Sequence, residues 1–244
     1  MDELGLATGI AVRRSESRWR SLMRSVVIGW WDASDLSTIT EAAGKVSQLD
    51  DKSGNGNHMT QASGSLQPTT GTRSQNGLNV LDFVPSNRLA SPLHPTKPHT
   101  MFAVGKGDGG VANAFDDGFL AARWKNGIDH HISFNQRGWG RFQNGQNNMV
   151  AADATVPRLL SGSEVSGGSP NARAWLNGSL IGTNSGATLD WNANLRWGLG
   201  GPAPLPLSRH YLNGWIGEAI ICSVELADAD RQLFENYLLT KWGI

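Results

Sequence analysis

Turn-forming residues divide this chain, from Val26 to Leu226, into apolar segments too short to be ordinary helices. Val26-Val27-Ile28-Gly29-Trp30-Trp31 stops at the polar turn Asp32-Ala33-Ser34-Asp35. Lys45–Leu49 runs into Asp50-Asp51-Lys52-Ser53-Gly54-Asn55-Gly56-Asn57, residues that tolerate left-handed backbone and cap turns. Further strands are expected at Asn79–Phe83, Thr100–Gly105, Gly118–Trp124, His130–Asn135 and Gly140–Gln143. Leu159–Val165, Ala172–Leu176, Ser179–Thr183, Asn194–Gly198 and Trp215–Val224 complete the set. Asn177-Gly178 joins two of them and predicts a hairpin, because Asn-Gly favours the type I′ turn that matches strand twist. With 30 glycines, 10 tryptophans and only 2 tyrosines, the composition is that of an all-β sandwich or barrel.

The two ends follow another period. Ala227–Trp242 places Leu233, Phe234, Tyr237, Leu238 and Trp242 on one helical face, with Asp228 and Asp230 in the first turn and Lys241 in the last, where each complements the helix dipole. Residues 13–24 carry five arginines against one glutamate, and Trp19, Leu22, Met23 and Val26 recur at helical spacing. A short amphipathic helix is therefore expected in an arm over residues 1–25, either a frayed or packed-down leader or an anchor that Arg13, Arg14, Arg18, Trp19, Leu22 and Met23 dock onto a partner subunit. Residues 26–244 contain no linker-like tract and form one domain.

Charge and cysteine usage narrow the function. The 21 basic and 21 acidic residues cancel, which argues against coating nucleic acid. The lone Cys222 permits no intrachain disulfide, as suits assembly in a reducing cytoplasm, and in Ala219-Ile220-Ile221-Cys222 it reads as a small core residue. No run of about 18 apolar residues exists to span a membrane. Asp2 and Glu3 stand where a signal peptide carries positive charge, so release by lysis is the expected route out of the cell.

Several segments, taken in order, carry a resemblance. Trp31–Thr38 followed by Asp51-Lys52-Ser53-Gly54-Asn55-Gly56-Asn57-His58 resembles the opening of concanavalin A-like, laminin G-like jelly rolls of tailed-bacteriophage and prophage structural proteins. Asn79–Phe83, Trp175-Leu176-Asn177-Gly178, Leu212–Glu218 and the close at Tyr237–Gly243 are similar to the segments that follow in that family, as is the leader Leu4–Ile10. The resemblance covers roughly residues 27–244. It implies a two-sheet antiparallel jelly-roll sandwich with an N-terminal arm and one C-terminal α-helix. It implies also a virion component, in head decoration, collar or tail fibre, bound to other virion proteins through the arm and present as a homo-oligomer. Such domains often hold calcium at an acidic turn after the strand that here ends at Phe83. Val84-Pro85-Ser86-Asn87-Arg88 has no carboxylate there, so neither calcium nor any other cofactor is expected.

Catalysis has little to stand on. Glucan hydrolases of this fold class place two carboxylates about 5–5.5 Å apart, whereas Glu164 and Glu218 are isolated and Asp116-Asp117 lies in a glycine-rich loop. His130-His131 would face opposite sides of a strand and cannot share a metal ion, and the other histidines are scattered singly. The remaining signal is Arg137-Gly138-Trp139-Gly140-Arg141-Phe142-Gln143-Asn144, a tryptophan between glycines at an expected turn, with Trp124 as a second aromatic point. Stacking on an indole with amide and guanidinium hydrogen bonds is how a glycan is held, so Trp124, Arg137, Trp139, Arg141, Gln143 and Asn144 are the candidate host-surface glycan site. The same tryptophans would serve equally as subunit contacts. The resemblance implies a displayed virion structural protein, and these residues point to a lectin-like module as the alternative; a hydrolase of the same fold is the weaker third.

Overall fold

A computed structural model describes residues 16–108, 117–123, 129–135, 139–144, 147–151, 156–165, 170–185, 196–201 and 212–244. Two antiparallel sheets pack into the jelly-roll sandwich expected from the sequence. The first runs, in spatial order, Val27–Asp32, Gly214–Cys222, His99–Gly107, Arg158–Glu164, Ala172–Leu176 and Ser179–Asn184, and Leu81–Phe83 pairs with the start of Gly214–Cys222. The second runs Asn147–Ala151, Trp139–Asn144, Asp129–Asn135, Asp117–Arg123, Gly198–Leu199, Leu89–Ala90, Met59–Thr60, Lys45–Leu49 and Ile39–Ala42. The Asn177-Gly178 turn has φ of 47° and 80°, both positive as a type I′ turn requires.

Every residue of Gly214–Cys222 is buried, and nearly every residue of His99–Gly107. Such continuous burial requires cover on both faces of the first sheet. On one face Met101, Ala103, Leu160, Ile216, Ala219 and Ile221 meet Val46, Leu49, Met59, Leu89, Leu120 and Leu199 of the second sheet. On the other, Phe102, Val104, Leu159, Trp215, Ile220 and Cys222 meet the C-terminal helix, Asp228–Trp242, through Phe234, Leu238 and Trp242. A register shift between Ile216 and Glu218 resets the alternation, so that Glu218 faces the helix as Trp215 and Ile220 do. Gly217 lies at that shift, and a Cβ there would fall 2.7 Å from the Trp242 ring.

The expected helix in the leader exists over residues 16–25, and its apolar side packs on this chain's own body. Leu22 is 4% exposed, and Trp19 lies 4.6 Å from Phe234 and 4.8 Å from Tyr237, centroid to centroid. Arg18 donates from Nε to Asp230 Oδ1 at 2.8 Å. A packing boundary at residue 25 therefore does not exist: the helix joins the second apolar core. Arg13 and Arg14 lie outside the described residues.

Phe234→Ala is expected to cost about 3–5 kcal/mol and Leu22→Ala about 2–3 kcal/mol, both by cavity formation in that core. Urea unfolding followed by tryptophan fluorescence measures both; an unchanged midpoint for Leu22→Ala would show that the leader helix adds nothing to the fold.

Candidate functional site

Polar chemistry in the described residues is densest between the first sheet and the C-terminal helix. Glu218, wholly buried in a central strand, accepts four hydrogen bonds: to Oε1 from Trp30 Nε1 (2.6 Å) and the Tyr237 hydroxyl (3.1 Å), and to Oε2 from Lys241 Nζ (2.7 Å) and Trp242 Nε1 (2.9 Å). Its antiparallel partner Asp32, also buried, pairs with Lys241 (2.8 Å) and Lys52 (2.9 Å) and accepts from the Ser34 hydroxyl (2.6 Å). Lys52 reaches on to Asp35 at 2.8 Å. Two lysines thus bridge three carboxylates, Lys52 between Asp35 and Asp32 and Lys241 between Asp32 and Glu218.

Burial and the neighbouring Asp32 charge push the Glu218 pKa up, against the donors that favour its ionised form. At Asp32 burial also opposes ionisation, but the Lys241, Ser34 and Lys52 hydrogen bonds outweigh it and its pKa falls below the ordinary value. Hydrogen bonds from Lys52 and Ser37 lower Asp35 to about 2. Tyr237 is driven up by burial and by the adjacent Glu218 charge, so its hydroxyl stays protonated and donating.

The loop after Lys45–Leu49 seals the edge of the first sheet. Asp51 accepts from the backbone N–H groups of Trp30 (2.9 Å), Ser53 (2.9 Å) and Asn57 (3.0 Å). Asn55 and Asn57 donate from Nδ2 to the Val27 and Ile28 carbonyls at 3.0 and 2.7 Å, and the Lys52 N–H reaches the Trp30 carbonyl at 2.8 Å. The carbonyls of Val27, Ile28 and Trp30 in this edge strand are thus taken up by the Asn55 and Asn57 side chains and the Lys52 N–H and cannot template another strand. The other buried acids are held similarly. Glu164 stands 3.3 Å from Lys97, and Glu235 accepts from Arg231 and from Ser161 (2.8 Å). Asp32 and Glu218, the acids that lie side by side, are enclosed where no sugar ring can reach.

The surface is where a ligand can bind. A cleft of about 400 Å³ opens on the second sheet, lined by Gln48, His58, Thr60, Ser91, Pro92 and Arg196. Arg196 donates to the Pro92 carbonyl at 3.0 Å. A groove of about 320 Å³ lies between the leader helix and the first strand, lined by Glu16, Trp19, Arg20, Met23, Arg24 and Trp30. The sequence-derived site is only partly in view: Trp124 and Arg137 lie outside the described residues. Trp139, Arg141 and Gln143 take alternate positions of one strand of the second sheet, in register with Asn135, Ser133 and His131, and Asn144 ends that strand opposite Asn147. The strand begins at Trp139 itself, so this residue belongs to the ladder and not to a turn. His130 and His131 are successive positions of Asp129–Asn135, as expected. The turn after Phe83 closes on itself, with Asn87 Oδ1 accepting from the Val84 N–H at 3.1 Å, and no cluster of three metal-ligating side chains occurs among the described residues. Sequence reasoning missed the Glu218 clasp. Its signal is a lone glutamate inside an apolar strand, a charge that must find partners if buried.

No family model matches the sequence, and no curated protein matches it. Solved structures do match the fold. Domain 4 of AbnA, a GH43 extracellular arabinanase from Geobacillus stearothermophilus in complex with arabinotriose, is similar at a TM-score of 0.58 and 13% identity, over 85% of this chain and 97% of that one. A Trypanosoma rangeli sialidase in complex with sialic acid matches at 0.57 and 13% identity. That match covers 97% of this chain, which spans 39% of the sialidase's length. Botulinum neurotoxin type C, whose cell entry is dependent upon interaction with two ganglioside molecules, matches at 0.54 and 10% identity over 90% of this chain and 53% of its own. At these identities the likeness is one of fold: a β-sandwich.

Glu218→Gln keeps the shape but turns an amide N–H₂ toward indole and ammonium groups that only donate, and is expected to cost roughly 3 kcal/mol in denaturant unfolding. Asp35 sets an acid limit. Its depressed pKa contributes stability that is complete above the ordinary carboxylate value near ~4 and is lost as pH falls toward 2. Thermal unfolding should therefore fall more steeply between those pH values in the native chain than in Asp35→Asn; parallel curves would show that the Lys52–Asp35 pair is energetically silent.

Proposed function

We propose that this chain is a non-catalytic carbohydrate-binding domain displayed on the virion of a tailed bacteriophage, where it recognises a host-surface glycan. The observation that carries the reading is the likeness to the arabinanase domain, because it extends over nearly the whole of a domain that was solved with an oligosaccharide bound. Enclosure of Asp32 and Glu218 supports binding over hydrolysis, since both acids are spent on lysine and tryptophan partners. The phage setting rests on the ordered segments from Trp31 to Gly243 that resemble phage jelly rolls.

In this reading the second sheet is the recognition face. Trp139, Arg141, Gln143 and Asn144, together with Trp124 and Arg137, supply the stacking ring and hydrogen-bonding groups. No calcium or other cofactor takes part. The arm joins other virion proteins through Arg13 and Arg14, since the apolar side of its helix is taken up by this chain's own helix, and the domain acts as a homo-oligomer. One stacked ring with two hydrogen bonds gives about 4 kcal/mol, millimolar affinity, which many displayed copies raise to useful strength.

A glycan array probed with the purified chain tests the reading, with Trp139→Ala in parallel. Glycan binding that disappears in the folded variant is the expected outcome. A variant that binds glycan normally but no longer enters particles would make Trp139 a subunit contact, and a wild-type chain silent on every glycan would remove the lectin role altogether.

A further inference from the structure

The groove between the leader helix and the first strand has the make-up of a ligand site. Its apolar lining is two indoles and a thioether, Trp19, Trp30 and Met23; the groups around them are Arg20, Arg24 and Glu16. At about 320 Å³ it falls at the lower end of small-ligand clefts, roughly 300–1,000 Å³.

Both indoles are fixed from within the protein. Trp19 rests on Phe234 and Tyr237, and Trp30 donates its Nε1–H to buried Glu218 at 2.6 Å. Rings anchored in this way lose little freedom when a ligand stacks on them. That anchoring also determines where polar recognition must come from. The Trp30 donor is consumed, leaving Arg20, Arg24 and Glu16 as the polar groups of the groove. Arg18, on the same helix, is occupied by Asp230. Arg20 and Arg24, four residues apart on one side of the helix, have no carboxylate partner among the described residues.

An apolar aromatic lining beside two uncommitted guanidinium groups suits a ring with C–H faces and a carboxylate. We propose that this groove is a second glycan subsite, specific for an acidic sugar, a terminal uronate or sialate, whose carboxylate is held by Arg20 and Arg24 while its ring stacks on the indoles. Guanidinium and carboxylate match as a charge-assisted, bidentate pair, and the Glu16 carboxylate accepts from sugar hydroxyls. This rests on the reading of the chain as a glycan-binding domain, and it places acidic-sugar recognition on the opposite side of the first sheet from the second-sheet site.

The test compares the full-length chain with Arg20→Gln/Arg24→Gln on glucuronate-, galacturonate- and sialate-terminated oligosaccharides, with arabinose- and galactose-terminated ones as neutral controls. Both arginines are exposed, so the melting temperature should be unchanged. Acidic glycans should bind the double variant about tenfold more weakly, with neutral glycans unaffected. Unaltered affinity for acidic glycans in the double variant overturns the subsite and leaves the general glycan reading in place. Binding confined to neutral sugars in the native chain does the same. Silence on every sugar, acidic or neutral, overturns the general reading and this subsite with it.

Discussion

One buried carboxylate, Glu218, ties the first sheet to the C-terminal helix. Taking a carboxylate out of water costs several kcal/mol, and only good geometry with nearby counter-charge offsets it. Glu218 obtains both from the C-terminal helix, through Tyr237, Lys241 and Trp242, and from the neighbouring strand, through Trp30. Without the helix the charge would be stranded in an apolar strand. Without the register shift beside Gly217 it would not face the helix, and with a larger residue at Gly217 the Trp242 ring could not close over it. Docking of the helix and formation of the sheet are therefore one event, and the ion pairs of Asp32 with Lys52 and Lys241 extend it to the loop at 50–58.

That coupling governs where function can reside. The first sheet is covered on both faces, by the second sheet and by two helices, and its outer edge at Val27–Asp32 is closed by Asn55, Asn57 and Lys52. The acids that lie deepest are bound to lysine, arginine or indole partners and have no open side. Among the described residues, openings lie at the cleft beside His58 and Arg196 on the second sheet and at the groove along the leader helix. Both sit on rigid elements, which suits a preorganised site. The proposed glycan role uses those surfaces and leaves the clasp as the frame behind them.

Asp32, Lys52, Glu218, Lys241 and Trp242 sit far apart in the chain and meet in a single cluster that ties the first sheet to the C-terminal helix. Arg231 and Glu235, buried side by side within the helix, with Arg231 stacked 4.1 Å over Trp175, serve the same purpose nearer the Asn177-Gly178 hairpin.

Local chemistry is legible in the amino-acid sequence. Asn177-Gly178 specifies its turn through backbone dihedral preference, the spacing of Phe234, Leu238 and Trp242 specifies a helix, and the longer strands, with the exception of the unanticipated Asn147–Ala151, fall within one or two residues of their expected bounds. Ile39–Ala42, and the two-residue strands Met59–Thr60 and Leu89–Ala90, escape because so short a run carries no period and exists only by pairing with its neighbours. Trp139, flanked by glycines, reads as a turn residue, yet cross-strand pairing with Asn135 draws it into a sheet. The leader helix can be anticipated, but not that Trp19 would rest on Phe234, more than 200 residues on. Dihedral preference and periodicity are properties of neighbouring residues, so the sequence by itself determined turns, strands and the terminal helix. Which charges are buried, and which partners repay that burial, depends on contacts such as Trp30 with Glu218, 188 residues apart, and only the tertiary structure decided them.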